Sequence, residues 1–323
     1  MENRISQEKI LPLSDFGRKE NMSFSTPAIL AEGPFELSAV DIFSNNRTTF
    51  HTPELNKHIE DVWKKIEIKE GKKVFNGDIP LVLGVVIEDG KLEIFTGLTD
   101  FKTRAATSYP EYRIIEKFGQ ESVAITLGIT CLLETTDGKL VLAQLGTKTT
   151  EKNKIGGLHC LGGFMEVRNG LPVNFVQNLK REIKEELGLT ELETEDKINV
   201  DYCLGVVQDN NIYAVDMLFV CTTDLKPDEL RAKSGDGEII PLFINNSEKE
   251  ITNILLTFSK TATTSALGGL YLYGKLKFGD EWAEKIRIRL GRRFGVYKQI
   301  DMDSDAARRM QIKMSNRLAS FGK

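Results

Sequence analysis

The run Arg181-Glu182-Ile183-Lys184-Glu185-Glu186-Leu187-Gly188-Leu189 leaves this chain the fewest local choices. Val176, Leu179, Ile183 and Leu187 recur at spacings of three and four, the period of a helix with one buried face. Gly188 is a natural stop, because glycine accepts the left-handed backbone of a helix end. The spacing predicts an amphipathic helix over 173–187, with Glu182, Glu185 and Glu186 projecting away from the apolar stripe. Like charges at i, i+3 and i+4 repel by about 0.2–0.5 kcal/mol per pair. A hard divalent cation turns that repulsion into coordination, since such ions take carboxylate oxygens. A metal site is the first functional expectation. A solvated charged face with a glycine cap is the plain alternative.

A chain of 323 residues is long for one core, so two domains are expected. A composition of 41% hydrophobic and 28% charged residues is that of a soluble globular protein. The formal net charge of -4 gives no general reason to expect nucleic-acid binding. No apolar run is long enough to span a membrane. Met1 to Phe16 lacks the apolar centre of a secretory leader, so a cytoplasmic location is expected. Cys131, Cys160, Cys203 and Cys221 form no Cys-x-x-Cys pair, and Cys131 and Cys221 read as small core residues. His51, His58 and His159 share no zinc-ligand spacing. Oligomeric state is not legible in the sequence.

Residues 1–30 are polar, lack a period and read as an N-terminal arm. Phe35–Phe43 reads as one strand. Thr52-Pro53 is an N-cap followed by proline at the first helical position. Leu55, Ile59, Val62, Trp63 and Ile66 follow at helical spacing, predicting a helix over 53–67. Leu81–Ile87 and Lys91–Gly97 flank Glu88-Asp89-Gly90, a hairpin signal. Together these give a small α+β domain over 31–118. Beyond it, Val123–Leu133 and Lys139–Leu145 flank Thr136-Asp137-Gly138. A glycine-rich loop over 146–163 leads into the carboxylate helix. Asn199–Val207 and Ile212–Thr222 read as strands around Asp209-Asn210-Asn211, and Glu238–Ile244 as a last strand. Residues 248–277 and 280–292 read as helices. The second domain is placed at 119–278, with a C-terminal helix and basic tail at 279–323. Acidic residues interleave with the tail arginines, so it reads as a solvated segment and not as a nucleic-acid arm.

The run from Arg181 to Leu189 resembles the second half of the signature of Nudix hydrolases, G-x5-E-x7-R-E-U-x-E-E-x-G-U, where U is bulky and aliphatic. Ile183 and Leu189 fill the U positions. The resemblance implies an α/β (α+β) Nudix fold, a mixed β-sheet sandwiched between helices, over about residues 120–250. It implies Glu182, Glu185 and Glu186 as ligands of Mg²⁺, or of Mn²⁺, with Arg181 orienting a glutamate by charge-assisted hydrogen bonds. The cation would neutralise a diphosphate and activate water. Gly162-Gly163-Phe164-Met165-Glu166 is similar to the opening of many such boxes, but the spacing from Gly163 to Arg181 is four residues too long. The surplus falls around Arg168 to Pro172, and the usual loop glutamate has no obvious replacement, with Glu166 as a candidate.

The region before the box is similar to the animal Nudix enzymes that cleave UDP-glucose and UDP-galactose. Gly97-Leu98-Thr99, Phe101-Lys102 and Thr107 carry most of that likeness, with Ser265 to Tyr273 a weaker patch. It implies hydrolysis of a small nucleotide diphosphate to UMP and sugar 1-phosphate. Phe101, Tyr109 and Tyr112 could stack on a uracil or simply pack. Arg47, Lys102 and Arg104 could meet phosphate charge or face solvent. Asp216 interrupts an apolar strand and faces either the cleft or the wet side of the sheet. Glu238, on the loop with Asp236, is the preferred candidate for a general base outside the box. His159 reads as an exposed loop residue. ADP-ribose or another nucleoside diphosphate derivative is the alternative substrate, and a non-catalytic nucleotide-sensing module the alternative class.

Overall fold

The computed structural model describes residues 10–11, 27–70, 75–109, 112–146, 156–209, 212–233 and 239–293. It consists of one large mixed sheet with helices on both faces, as expected from the sequence. The N-terminal part contributes β1 (Ile10–Leu11), β2 (Ala28–Glu36), β3 (Val40–Thr48), α1 (Pro53–Glu70), β4 (Asp78–Glu88) and β5 (Lys91–Asp100). Next come α2 (Phe101–Thr107), α3 (Ile114–Phe118), β6 (Thr126–Thr135) and β7 (Lys139–Leu145). The glycine-rich loop holds β8 (Leu158–His159) and β9 (Leu161–Phe164), followed by β10 (Val167–Arg168) and β11 (Leu171–Pro172). The carboxylate helix is α4 (Phe175–Leu187), trailed by α5 (Glu191–Lys197), β12 (Ile198–Asp209), β13 (Ala214–Thr223) and α6 (Pro227–Lys233). The chain closes with β14 (Ile239–Asn245), α7 (Glu248–Phe258), α8 (Thr264–Phe278) and α9 (Asp280–Arg293).

The strand order is β2-β12-β13-β6-β4-β5-β3, with β9 and β7 also pairing with β6. β13 runs parallel to β6 and β3 parallel to β5, which makes the sheet mixed. Side chains alternate across it with the strand period of two. Ile129, Cys131 and Leu133 of β6 and Met217, Phe219 and Cys221 of β13 face Leu179, Ile183 and Leu187 of α4. Leu132, Leu218 and Val220 point the other way, into the cluster under α8 formed by Ala266, Leu267, Leu270 and Tyr273. All four cysteines are buried free thiols.

Local chemistry explains the elements that the sequence foretold. Thr52 Oγ1 accepts from the Leu55 N–H and starts α1 at Pro53. Asp89 and Gly90 take positive φ values of 48° and 77° in the β4–β5 turn, as a two-residue primed turn requires. Asn174 accepts from the N–H groups of Val176 and Gln177, so α4 begins two residues later than expected. Gly188 ends it with φ 66° and ψ 32°.

Two expectations need correction. The strand over Phe35–Phe43 is two strands, β2 and β3, joined by a 3-10 turn at Leu37–Ala39. The chain must turn there because β2 pairs with β12 and β3 with β5, at opposite ends of the strand order. The helix over 248–277 is broken into α7 and α8, since Thr263 caps a fresh start by accepting from the Ala266 N–H. The surplus residues at 168–172 form a hairpin, with Asn169 (φ 54°) and Gly170 (φ 76°) as its turn between β10 and β11. No helix among the described residues is long and apolar enough to cross a membrane.

Ile183 is fully buried under α4, between the helix and the sheet. Replacing it with alanine should remove about 2–5 kcal/mol of unfolding free energy. Urea denaturation checks this, and a loss under about 0.5 kcal/mol would mean that α4 is not seated as described.

Candidate active site on the carboxylate helix

Burying Leu179, Ile183 and Leu187 fixes the roll of α4, and that roll decides where its charges go. Glu182 falls on the flank nearest β9 and keeps only 15% of its side chain exposed. Its carboxylate lies directly over Gly163. A Cβ built on Gly163 would sit 2.7 Å from Glu182 Oε2 and 3.0 Å from Oε1. Glycine at 163 is therefore a matter of space for the carboxylate. One residue earlier, the Gly162 N–H donates to Glu186 Oε2 at 2.9 Å. The Gly162-Gly163 pair thus anchors two of the three candidate ligands.

Arg181 gathers the remaining charge. Its guanidinium donates to Glu182 Oε1 and, at 2.8 Å, to Glu185 Oε2. Its Nε lies 3.5 Å from Glu166 Oε2. Glu166 in turn accepts from Arg168 Nε at 3.0 Å and Nη2 at 3.1 Å. The glutamate that follows Gly162-Gly163-Phe164-Met165 is thus brought to the box arginine, and the β10–β11 hairpin takes up the surplus residues behind it. Burial alone would lower the Arg181 guanidinium, but Glu182, Glu185 and Glu166 hold it above its ordinary value. Burial raises the Glu182 carboxyl above the usual carboxylate range, and Arg181 offsets only part of that.

Asp216 lies on the sheet face opposite α4. It is half-buried, with its carboxylate packed on Gly128, where a Cβ would sit 2.1 Å from Asp216 Oδ1. Burial first, and then the charges of Asp216 and Glu186, push the Cys160 thiol up, so both acids lie near one buried sulfur. Phe164, opposite Gly128 in the β6–β9 ladder, carries the guanidinium of Arg104 at 4.5 Å from its ring centroid. Arg104 is 5% exposed, donates to Tyr109 Oη at 3.3 Å and leaves its Nε without a partner. Phe101 packs edge-on against both Trp63 and Phe164.

Two candidates stand apart from this cluster. Lys102 pairs with Glu60 of α1, and its backbone N–H donates to Asn76 Oδ1 at 2.7 Å. Arg47 is exposed, and its N–H donates to Asn45 Oδ1 at 2.9 Å. Glu238 and Asp236 lie outside the described residues. His159 is half-buried in β8 with Nδ1 3.0 Å from Thr263 Oγ1, and is not the exposed loop residue expected. Sequence reasoning did not find Gly128 or Phe164 as site neighbours, because their roles come from ladder pairing across distant strands. Asn169-Gly170, by contrast, was a readable hairpin signal.

Glu182, Glu185 and Glu186 supply hard oxygen donors on one helical turn, the type that Mg²⁺ or Mn²⁺ takes. As they stand they serve Arg181 and Gly162, and no group of three or more His, Cys, Asp or Glu side chains converges on one point among the described residues. The donor chemistry, three carboxylates on one helical turn, fits such an ion.

No family model matches the sequence, and no curated protein matches it. Solved structures similar to the chain include Nudix-type hydrolases. One is a Nudix hydrolase from Nitrosomonas europaea (16% identity, TM-score 0.34, covering 47% of this chain and 89% of that one). Another is an ADP-ribose pyrophosphatase from Streptococcus suis (16% identity, TM-score 0.30, 48% and 94%). A third is an ADP compounds hydrolase (12% identity, TM-score 0.32, 82% and 98%). Identities and scores this low leave the functional reading to the side chains.

The raised Glu182 carboxyl has a consequence for stability. The folded state holds this proton more tightly than the unfolded state, so stability falls as pH rises from the ordinary glutamate range through the raised folded value. In metal-free buffer at neutral pH, Glu182→Gln should therefore melt at a higher temperature than the wild type, with the gap closing below the ordinary carboxylate range. Melting curves across pH check this. A variant that melts lower by the same amount at every pH would contradict it.

Proposed function

We propose that this chain is a divalent-metal-dependent hydrolase of the Nudix type that cleaves the diphosphate of a small nucleotide derivative. The observation that carries the reading is the anchoring of Glu182 and Glu186 on α4 against Gly163 and Gly162, with Glu185 of the same turn held by Arg181 and Arg181 braced by Glu166. A solvated charged face has no need to pack a carboxylate on a glycine, nor to bury it enough to raise its pKa. A cation bound by Glu182, Glu185 and Glu186 would supply charge neutralisation for the diphosphate and activation of water. Arg181, with Glu166 behind it, keeps the glutamates from splaying apart. Gly162 fixes Glu186 through its N–H.

In the proposed reaction a water oxygen bonds to one phosphorus, the bridging P–O bond breaks, and the leaving phosphate takes the electron pair. The water proton passes to a carboxylate, for which Glu238 is our candidate outside the helix. UDP-glucose or UDP-galactose is the proposed substrate, on the strength of Gly97-Leu98-Thr99, Phe101-Lys102 and Thr107. Phe101 and Arg104 pack on Phe164 beside Gly163, and Asp216 lies across Gly128 from Phe164, so we assign the three to the substrate side of the site. Lys102 would reach substrate only by leaving Glu60, and Arg47, exposed on β3, is kept as a candidate for phosphate charge.

The test is incubation with UDP-glucose, UDP-galactose, ADP-ribose and other nucleoside diphosphates, with and without Mg²⁺, with product identification. We expect Mg²⁺-dependent release of UMP and sugar 1-phosphate. Loss of a partner that merely orients a metal ligand typically lowers activity about 10–100-fold. Loss of a ligand itself, in Glu186→Gln, should exceed that. Turnover of ADP-ribose alone would reject the UDP-sugar assignment. Tight nucleotide binding with no turnover would replace the enzyme with a sensing module.

A further inference from the structure

A charged group next to the proposed site has no counterion. Arg104 sits at the centre of α2 and is 5% exposed. Its Nη1 donates to Tyr109 Oη at 3.3 Å, its one hydrogen bond among the described residues, and no carboxylate there pairs with it. Nε is sealed from solvent without a partner. Nη2 has no partner either but is not sealed, so the guanidinium opens to solvent through that nitrogen. The ring centroids of Phe164 and Tyr109 lie 4.5 Å and 5.5 Å from Arg104 Cζ. Neutral rings attract a cation but do not neutralise it. Arginine keeps its charge in proteins, and a buried charge is normally paired. Its neighbours obey that rule, since Lys102 has Glu60 and Arg181 has three glutamates.

The position of Arg104 says which part of a ligand would meet it. Gly163 turns its side-chain direction to Glu182, so the next residue, Phe164, leaves β9 on the other face. Ladder pairing puts Phe164 opposite Gly128, with Asp216 beyond it and β6 between them. Among the described residues β9 pairs along one edge only, with β6. A ligand whose diphosphate lies at the α4 glutamates can pass round the free edge of β9 and bring its far end to Phe164. Phe101, Tyr109 and Phe164 are each partly exposed there. That end meets aromatic faces and one flat, permanent cation. A planar monoanion, a carboxylate, matches such a charge one for one. A phosphate monoester, with a charge near -2 at neutral pH, would be left half-compensated.

We propose that Arg104 is a specificity residue for a sugar carboxylate, so that the preferred substrate is a nucleoside diphosphate uronic acid, with Arg104 Nη2 donating to the carboxylate. This rests on the reading of the chain as a nucleotide-sugar hydrolase. UDP-glucose and UDP-galactose bind in the same way but leave Arg104 without its counterion. The bond that breaks is the bridging P–O bond as before, and the carboxylate takes no part in it. The products are UMP and a uronic acid 1-phosphate.

UDP-glucuronate, UDP-galacturonate, UDP-glucose and UDP-galactose are titrated calorimetrically into the full-length protein in metal-free buffer. The same four are then turned over with Mg²⁺ to obtain kcat/KM. The wild type should bind each uronate at least about tenfold more tightly than the matching hexose, the scale of one hydrogen bond between charged groups. The ratio of kcat/KM values should favour the uronates too. Arg104→Met keeps apolar contact with Phe164 and drops the charge; it should abolish the preference and leave UDP-glucose affinity nearly unchanged. Arg104→Lys should retain part of it. The wild-type ratio does not depend on the folding of any variant. Hexoses bound and cleaved as well as uronates, or a preference that survives Arg104→Met, would overturn the assignment and leave the hydrolase reading standing. Uronate-selective binding lost in Arg104→Met, with no turnover of any compound, would keep the assignment and reject the hydrolase. Failure of all four to bind or turn over would overturn both.

Discussion

The apolar face of α4 has to stay on the sheet while a carboxylate from the same turn lies nearly buried beside it. Most of the local architecture answers that conflict. Leu179, Ile183 and Leu187 fix the helix by burial, at about 25 cal/mol per Å² of apolar surface removed from water. The same placement pushes Glu182 against β9, where its charge is poorly solvated. A side chain at 163 would occupy the volume the carboxylate needs, so the strand passes there as glycine. Arg181 then shares its guanidinium among Glu182, Glu185 and Glu166. That arrangement keeps three hard-oxygen donors within one helical turn.

The two flanks of α4 divide the labour. On the β9 side, the glycine pair positions Glu182 and Glu186, two of the three candidate metal ligands. On the α5 side, Lys180 and Lys184 tie the helix to Glu195 and Glu191. The β10–β11 hairpin supports the first flank, since it carries Arg168, the partner that holds Glu166 near Arg181. The residues that lengthen the loop before α4 therefore have a structural job.

Features set by adjacent residues were legible in the sequence. The period of α4, its end at Gly188, the Thr52-Pro53 start of α1 and the turn at Asp89-Gly90 are short-range chemistry, and the structure repeats them. Long-range pairing was not legible. Nothing local says that β2 joins β12, that β13 runs parallel to β6, or that Asp216 rests on Gly128. Those contacts depend on which strands become neighbours. For the same reason the grouping of Phe101, Arg104 and Phe164 was only half visible: two of the three were candidates, but the ring that unites them was not. The break between α7 and α8 was missed because no proline or glycine marks it, and the new start rests on one side-chain contact from Thr263 to the Ala266 N–H.

The central claim is that α4 holds a divalent cation through its glutamates. Crystals grown with Mn²⁺, measured near its absorption edge, test this most directly. The expected result is an anomalous peak within coordination distance of carboxylate oxygens from Glu182, Glu185 and Glu186, with Arg181 displaced from at least one of them. Mn²⁺ bound only elsewhere, with all three glutamates still on Arg181 and Gly162, would contradict the claim.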